Sequence, residues 1–231
     1  INLLQKIAYL TVAQTVFLLS NKLIIINQAL YADFAQYKHK MRVIPNGVDT
    51  ELFHPITPRK KLELQSKLGL AEKKVVLFVG RLVEKKGYQA LLQARDPSFE
   101  LVFVGTGDVP VSARSLKHVH WVGGLSQAEL AKYYQVADVL VLPSHGEGYP
   151  LCITEAISAG VQVLTTFQHS SLLPLSGQYY FHTSSDSKSL KSGIQKILKG
   201  TKRELKSEDR LNYLNLFSWK SNIKEVQTLY L

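Results

Sequence analysis

The sequence predicts an α/β fold in which a parallel sheet carries helices on both faces. Short, almost wholly apolar runs such as "KVVLFVG" (74–80), "FELVFVG" (99–105) and "DVLVLP" (138–143) are typical of strands buried on both sides. Segments with helical spacing, "YQALLQA" (88–94) and "AELAKYYQVA" (128–137), lie between these runs. Strands that alternate with helices in this way form parallel sheets covered on both faces.

The first fifty residues predict a small unit of two helices and two strands. Helical spacing covers 3–19 and "QALYADFAQYKHK" (28–40), while "KLIIIN" (22–27) and "MRVIP" (41–45) predict short strands. The apolar stretch 7–19 is too short to span a bilayer unaided, so it predicts a buried helix. Contact of this helix with a membrane or with a further domain is the alternative. Because the chain opens without Met, we expect a fragment of a longer protein.

A turn and a linker are predicted after this unit. The turn is "NGVD" (46–49), and "FHPITPRKK" (53–61) combines two prolines with a basic cluster. We therefore place a domain boundary between residues 52 and 53.

The second domain continues the alternation of strands and helices. The predicted elements are a strand "HVHWVG" (118–123), a helix around "CITEAISAG" (152–160), strands "VQVLTT" (161–166) and "YYFH" (179–182), and a helix "SLKSGIQKILKG" (189–200).

Composition and charge limit the classes of protein and partner. Of the 231 residues, 45% are hydrophobic and 20% are charged, which is typical of a globular protein with an apolar core. The formal net charge of +10 favours anionic partners, namely nucleic acid, anionic lipid or phosphorylated small molecules. The single cysteine, Cys152, excludes an internal disulfide framework and fits a reducing compartment. We therefore expect a cytoplasmic protein.

Three predicted strands end in glycine, at Gly80, Gly105 and Gly123. Ligands of doubly wound sheets bind beyond the carboxyl ends of the strands, and glycine lets the backbone approach a ligand closely. The alternative is that these glycines only end their strands. "GTGDVP" (105–110) lacks the third glycine of a dinucleotide fingerprint, and no P-loop pattern occurs.

The segment "GRLVEKKG" (80–87) places two cations at the same predicted edge. Arg81 offers a fork of donors to phosphate oxygens, and Lys86 offers a point charge. Together they suit a diphosphate. A solvated basic turn is the alternative.

The stretch "PSHGEGYPLCITEA" adds a helix start and two carboxylates. Pro150 suits the first helical position, and the amides around Leu151 and Cys152 would be available to an anion. Glu147 precedes the helix and Glu155 lies about one turn inside it, so both can face the crevice above the sheet. Carboxylates accept hydrogen bonds from hydroxyls, so this pattern predicts a nucleotide-sugar site. For Glu155 alone, stabilisation of the helix dipole is the alternative.

Other charged and titratable residues have simpler interpretations. His118 and His120 share one strand face without a third ligand, so we expect a structural role and no metal site. His145 adjoins Glu147 and could contact a sugar. The basic region 188–206 predicts a solvated amphipathic helix, with a membrane-surface patch as the alternative.

Several motifs occur together in one order: "VIPNGVDTELF", "LFVGRLVEKKG", "LVFVGTGD", "WVGGLSQAELAKYYQVADVLVLPSHGEGYPLCITEAISAG" and "FSWKSNIKEV". In this order they resemble the C-terminal half of a family 4 retaining glycosyltransferase of GT-B fold, over about 20–230. The resemblance implies a Rossmann-like, nucleotide-sugar-binding domain at 53–215. Residues 1–52 would be the remnant of a largely missing N-terminal, acceptor-side domain. Residues 216–231 would form a helix that packs back toward it.

The resemblance also implies roles for individual residues. Arg81 and Lys86 would hold the donor diphosphate, Glu155 would bond the ribose hydroxyls, and Glu147 would be the catalytic residue that contacts the transferred sugar. The remaining donor-binding positions would be Gly80, Val122, Gly148, Tyr149, Leu151 and Cys152. Such enzymes usually need no divalent metal or other cofactor.

The resemblance predicts a hexosyltransferase that moves a sugar from a UDP- or GDP-sugar to a glycan or lipid-linked acceptor with retention of configuration. Peripheral contact with the inner face of a membrane fits such an acceptor, and nucleic acid is not expected. Gln162 stands where the family often has proline, and the loop 165–180 lacks the acidic residue that is common there. The identity of the sugar is therefore open. A GT-B sugar-nucleotide 2-epimerase and a non-catalytic anion- or nucleic-acid-binding α/β module are the alternatives.

Overall fold

A computed structural model of the chain describes residues 3–26, 34–147, 150–167, 180–200 and 207–229. Part of the helix predicted at 28–40, most of the loop 165–180, and the predicted donor-binding residues Gly148 and Tyr149 lie outside the described residues.

The described strands form two parallel sheets. The strands are β1 (Leu23–Ile25), β2 (Met41–Val43), β3 (Lys74–Val79), β4 (Phe99–Val104), β5 (Val119–Gly123), β6 (Val139–Leu142), β7 (Gln162–Thr165) and β8 (Tyr180–His182). β1 pairs with β2, and the larger sheet has the order β5-β4-β3-β6-β7-β8 with every pairing parallel. The chain thus builds outward from β3 on one side, then returns to add β6 on the other. The crevice between β3 and β6 is the switch point where such sheets bind ligands.

Helices connect these strands. They are α1 (Leu3–Leu19), α2 (Pro58–Lys67), α3 (Tyr88–Gln93), α4 (Gln127–Val136), α5 (Leu151–Ser158), α6 (Ser187–Lys199), α7 (Ser207–Phe217) and α8 (Trp219–Gln227). Short 3₁₀ turns occupy Ala35–Lys40, Glu84–Lys86 and Val111–Ala113.

Two apolar layers form the core, one on each face of the larger sheet. Alternate side chains of β3 point to opposite layers, so Leu77 packs under α4, α5 and α7, whereas Phe78 packs under α3 and α6. Both side chains are fully buried. The structure therefore confirms the predicted α/β fold with helices on both faces.

Helix α2 corrects the prediction of a linker at 53–61. The helix begins at Pro58, and the side chain of Thr57 caps it by accepting a hydrogen bond from Lys60 N. Proline at the first helical position preceded by threonine is a recognised helix start. The prolines and the basic cluster concealed that signal.

Helix α1 forms as predicted, but its last turns are not buried. Val12, Val16, Leu18 and Leu19 are each more than half exposed, so the expectation of a buried helix is wrong for this part of the chain. The Phe17 ring instead packs edge-on against Phe34, with ring centroids 4.5 Å apart. No helix in the described part of the chain is both long and apolar enough to cross a bilayer.

Helix α8 packs back onto the segment that follows β2. Trp219 N donates to Val48 O, and Asn222 Nδ2 donates to Pro45 O over 2.6 Å. A Cβ at Gly47 would lie 2.7–2.8 Å from Trp219, so only glycine allows this close packing. The end of the chain is thereby attached to the segment before the predicted boundary at 52/53. The boundaries of the three predicted regions themselves remain predictions.

Candidate functional site

The carboxyl ends of β3, β4 and β5 converge as the sequence predicts. Gly80 N donates to Val104 O, and Gly105 N donates to Gly123 O over 2.8 Å. A Cβ at Gly105 would collide with Gly80 O. Glycine is therefore required at position 105 for the ends of β3 and β4 to approach each other.

The turn after β3 is attached to the loop after β6 across the switch point. Lys85 O accepts hydrogen bonds from His145 N at 3.0 Å and from Ser144 Oγ at 3.2 Å. Gly87 has a left-handed backbone, φ 67°, and a Cβ there would collide with Pro143 O. These contacts bring the two predicted charged segments into one crevice.

Lys86 and Glu147 form an ion pair inside this crevice. Lys86 Nζ donates to Glu147 Oε1 over 2.5 Å, and the two side chains are 21% and 12% exposed. At this degree of burial, solvent screens the attraction less than it does at an open surface. The sequence assigned these residues to separate ligand groups, and the structure places them in direct contact.

Arg81 stands at the same edge of the sheet. It follows Gly80 directly and is exposed. Its side chain has no hydrogen bond or ion pair to the described part of the chain. A guanidinium in this state can offer its full fork of donors to an anion.

Glu155 accepts a hydrogen bond from a buried tyrosine, a contact that the sequence did not predict. Tyr134 on α4 is fully buried, and its hydroxyl donates to Glu155 Oε2 over 2.7 Å. Burial raises the pKa of Glu155 above 4.5, and the hydrogen bond from Tyr134 only partly opposes this rise. Burial, together with the charge of Glu155, holds the pKa of Tyr134 well above its usual value, so the hydroxyl remains a donor.

The start of α5 lies beside these carboxylates. The sequence predicts Pro150 as the first residue of this helix. In the structure the helix begins at Leu151, so Pro150 is the residue before it. Pro150 provides no side-chain cap, and Leu151 is 41% exposed. The first backbone N–H groups of a helix have no acceptors within it, so they can donate hydrogen bonds to an anion.

The pKa of the Cys152 thiol reflects the charged side chains around the start of α5. Burial, and then the negative charges of Glu155 and Glu147, raise the pKa of its thiol to about 12. Lys86 acts in the opposite direction on the same thiol. The thiol of Cys152 therefore lies within electrostatic reach of Glu155, Glu147 and Lys86.

Val122 occupies an irregularity at the end of β5. Trp121 pairs with Phe103 and Gly123 pairs with Val104, so Val122 is an extra residue without a partner on β4. Bulges of this kind often redirect a side chain next to a site. Val122 is half-buried, two strands away from the switch point.

The two histidines of β5 and its approach have a structural partner. Glu100 is buried, and its carboxylate bonds His118 Nδ1 at 2.9 Å and His120 Nε2 at 2.5 Å. This agrees with the structural role that the sequence predicts. Within the described ranges, no three His, Cys, Asp or Glu side chains are arranged to hold a metal ion. The side chain of His145 is exposed.

A second residue that sequence reasoning missed is Thr166. Its hydroxyl donates to Ser144 O over 2.8 Å and so supports the loop that carries Glu147. Thr166 directly follows β7, but nothing in the sequence indicates which backbone its hydroxyl meets.

Comparison with known families decides the class of protein. Residues 60–213 match the family described as Glycosyl transferases group 1, a range that contains the larger sheet and the charged crevice. This chain belongs to the Glycosyl transferases group 1 family.

Relatives of this glycosyltransferase-family chain are longer than the chain itself. It is 31% identical over 167 residues to the spore coat protein SA of Bacillus subtilis, covering 61% of this chain and 44% of that protein. It is 32% identical over 144 residues to the GDP-mannose-dependent alpha-(1-6)-phosphatidylinositol monomannoside mannosyltransferase of Mycobacterium tuberculosis, covering 54% of this chain and 37% of that one. The chain thus spans less than half the length of these relatives.

Solved structures confirm the predicted GT-B fold. Anabaena HepE, crystallised with UDP and glucose, superposes with a TM-score of 0.77 at 20% identity over 93% of this chain and 64% of that chain. Sucrose-phosphate synthase from Thermosynechococcus elongatus superposes with a TM-score of 0.77 at 26% identity over 96% of this chain and 60% of that chain.

Proposed function

We propose that this chain is the donor-binding part of a retaining hexosyltransferase that uses a UDP- or GDP-sugar. The observation that carries the proposal is the ion pair of Lys86 with Glu147, which joins the turn after β3 to the loop after β6 close to Cys152 and Glu155 at the start of α5. Family membership supports the reaction class. Cations suit the diphosphate of a nucleotide-sugar, and carboxylates suit the hydroxyls on either side of it.

The diphosphate would lie against Arg81, Lys86 and the start of α5. The amides of Leu151 and Cys152, with those of Gly148 and Tyr149, would complete this anion site. Negative charge develops on the diphosphate as the sugar leaves, and fixed cations and amides stabilise such charge most when they need not reorganise. We propose that these groups suffice without a divalent metal.

The carboxylates would hold the hydroxylated parts of the donor. Glu155 would accept hydrogen bonds from the ribose, and Glu147 would contact the transferred sugar near the reacting carbon. Because Lys86 pairs with Glu147, a bound diphosphate would compete for the ammonium and release Glu147 toward the sugar. Gly80 and Val122, at the ends of their strands, would border the nucleoside.

The acceptor would be a glycan or a lipid-linked sugar, bound with the help of residues outside this chain. The Mycobacterium tuberculosis relative is named a phosphatidylinositol monomannoside mannosyltransferase, which supports a lipid-linked acceptor. The formal net charge of +10 supports peripheral contact with an anionic membrane from the cytoplasmic side.

A ligand screen by thermal shift tests the proposal directly. UDP, GDP, UDP-glucose and GDP-mannose are added to the 231-residue chain. We expect one base to raise Tm, because a ligand at 100 times its Kd stabilises the folded state by about 2.7 kcal/mol. No shift with any of them up to millimolar concentration would contradict the proposal.

Two further measurements separate the alternatives. A sugar-nucleotide 2-epimerase would convert the donor into its epimer without transfer to an acceptor, which product analysis by NMR detects. A nucleic-acid-binding module would bind DNA or RNA with a steep salt dependence that survives Glu155→Gln.

A further inference from the structure

The bond between Tyr134 and Glu155 has features of a built support. The two residues lie on neighbouring helices, α4 and α5, and their side-chain oxygens are 2.7 Å apart. Tyr134 is fully buried, so its hydroxyl cannot reach bulk water. A buried hydroxyl requires a partner, and here the partner is the carboxylate of Glu155.

Within the described part of the chain, the bond occupies one of the two carboxylate oxygens. Glu155 Oε2 accepts from Tyr134, whereas the structure gives Oε1 no partner among the described residues. One anchored oxygen fixes the rotation of the carboxylate plane. The other oxygen is then presented in a defined direction, which is what recognition of a hydroxyl requires.

The ring of Tyr134 is itself held firmly. It packs edge-on against Phe53, with ring centroids 5.5 Å apart and an interplanar angle of 80°. Ser158 Oγ donates to Phe53 O over 2.5 Å, so the segment carrying Phe53 is fastened to α5. The hydroxyl is therefore positioned by packed elements and not by a mobile loop.

We infer that Tyr134 is a positioning residue for donor recognition, which orients Glu155 so that its second oxygen bonds the ribose of the nucleotide. This inference rests on the proposed function and deepens it. Tyr134 acts through Glu155 and does not contact the donor.

The electrostatic surroundings of Glu155 give this role a pH signature. Tyr134 approaches from α4, Cys152 lies on α5, and Glu147 and Lys86 enclose the crevice from the loop and the turn. Burial raises the pKa of Glu155, and the bond from Tyr134 lowers it. Tyr134→Phe removes the lowering contribution, so Glu155 becomes protonated at a higher pH than in the wild type.

Calorimetry with matched variants and ligands tests the inference on the whole chain. The variant is Tyr134→Phe, and the control is Tyr133→Phe, which removes a half-buried hydroxyl one residue earlier on the same helix. The ligands are UDP and 2′,3′-dideoxy-UDP, or the guanine pair if the wild type prefers GDP. We expect Tyr134→Phe to weaken UDP binding roughly three- to tenfold, as loss of one hydrogen-bonding partner does. It should leave the dideoxy compound unaffected, and Tyr133→Phe should change neither.

Two additional readouts distinguish positioning from general structural damage. In the Glu155→Gln background, Tyr134→Phe should cost little further UDP affinity, because both substitutions affect the same contact. The acidic limb of UDP binding against pH should shift to higher pH in Tyr134→Phe and stay in place in Tyr133→Phe.

Other outcomes overturn the inference. Unchanged UDP affinity in Tyr134→Phe, or an equal loss for UDP and the dideoxy compound, removes the positioning role while the proposed function stands. Failure of the wild type to bind UDP or GDP overturns the proposed function and the inference together. If Tyr134→Phe does not fold, a structure of the wild type with UDP decides: Glu155 must keep Tyr134 on one oxygen and contact ribose with the other.

Discussion

Lys86 and Glu147 neutralise each other over 2.5 Å, although 61 positions separate them in the sequence. The pair joins the turn after β3 to the loop after β6, so each partner fixes the position of the other. Arg81, at the start of the same turn, is exposed. To bind a diphosphate, Lys86 should leave Glu147, and Lys86 and Arg81 should then each pair with phosphate oxygens.

The first prediction concerns Glu147→Gln. Its carboxylate competes with phosphate for Lys86 and repels the diphosphate, so the variant should bind UDP or GDP as tightly as the wild type or more tightly. Turnover by a full-length enzyme carrying the variant should fall by about tenfold or more, because the contact with the sugar is lost. Calorimetry and steady-state kinetics measure the two effects. An equal loss of affinity and turnover would contradict the role given to Glu147, and Glu84→Gln, an exposed carboxylate in the turn after β3, is the control.

The second prediction concerns the two cations. Arg81→Ala and Lys86→Ala should each weaken UDP or GDP binding tenfold or more, which is ~1.4 kcal/mol. Lys85→Ala is the matched control, because Lys85 is exposed and contributes to the crevice through its backbone carbonyl. Titration calorimetry at constant ionic strength measures all three. If Lys85→Ala weakened binding as much as Arg81→Ala, the cause would be overall charge and not the proposed site.

The third prediction uses two glycines with the same backbone. Gly69 and Gly87 have φ 69° and 67°, but a Cβ at Gly69 meets nothing within 4 Å, whereas one at Gly87 collides with Pro143 O. Gly69→Ala should cost about 1–2 kcal/mol of unfolding free energy, the strain of a left-handed residue. Gly87→Ala should cost more and should also reduce nucleotide binding, because it displaces Lys86. Urea denaturation measures the loss of unfolding free energy, and calorimetry measures nucleotide binding. Equal losses of unfolding free energy in the two variants would show that the backbone around Pro143 shifts to make room for the added Cβ.

The fourth prediction concerns Glu100. Burial raises its pKa, but hydrogen bonds from His120 and His118 outweigh burial and hold it below 4.5. A carboxyl whose pKa is lowered by folding contributes stability above its unfolded pKa and loses that contribution as the pH falls through the folded value. Glu100→Gln should therefore destabilise the chain by about 1–3 kcal/mol at pH 7, and the difference from the wild type should shrink below about pH 4.5. Urea denaturation at several pH values tests this.

The control for Glu100 is Glu63→Gln. Glu63 pairs with Arg59 at the surface, where the side chains are 54% and 91% exposed, so its removal should change stability by little. A difference between wild type and Glu100→Gln that stayed constant from pH 7 to pH 3.5 would refute the assigned cause.

Much of the fold could be predicted because the decisive signals are local. The apolar run of β3 and the glycines at Gly80, Gly105 and Gly123 carry their meaning within a few residues. Helix α2 was missed because its start signal, Thr57 and Pro58, lies among residues that also suit a linker.

The burial of helices and the contacts between side chains of different elements could not be predicted, because the spacing of residues along the chain does not determine them. The burial of α1 was predicted wrongly because periodicity indicates an apolar helix but not whether another element covers it. The Lys86–Glu147 pair joins residues 61 positions apart, and the bond from Tyr134 to Glu155 joins residues 21 positions apart on successive helices. The packing of the elements, and not the sequence motifs, determines which of these side chains contact each other.

The chemistry of Cys152 has a practical consequence for labelling. With a pKa of about 12, roughly one thiol in 10⁵ is ionised at pH 7, and only the thiolate reacts with alkylating reagents. The native sulfur should therefore remain silent toward maleimide dyes. A reporter cysteine introduced at an exposed position can then be modified selectively, and donor association followed by fluorescence, without first altering the crevice.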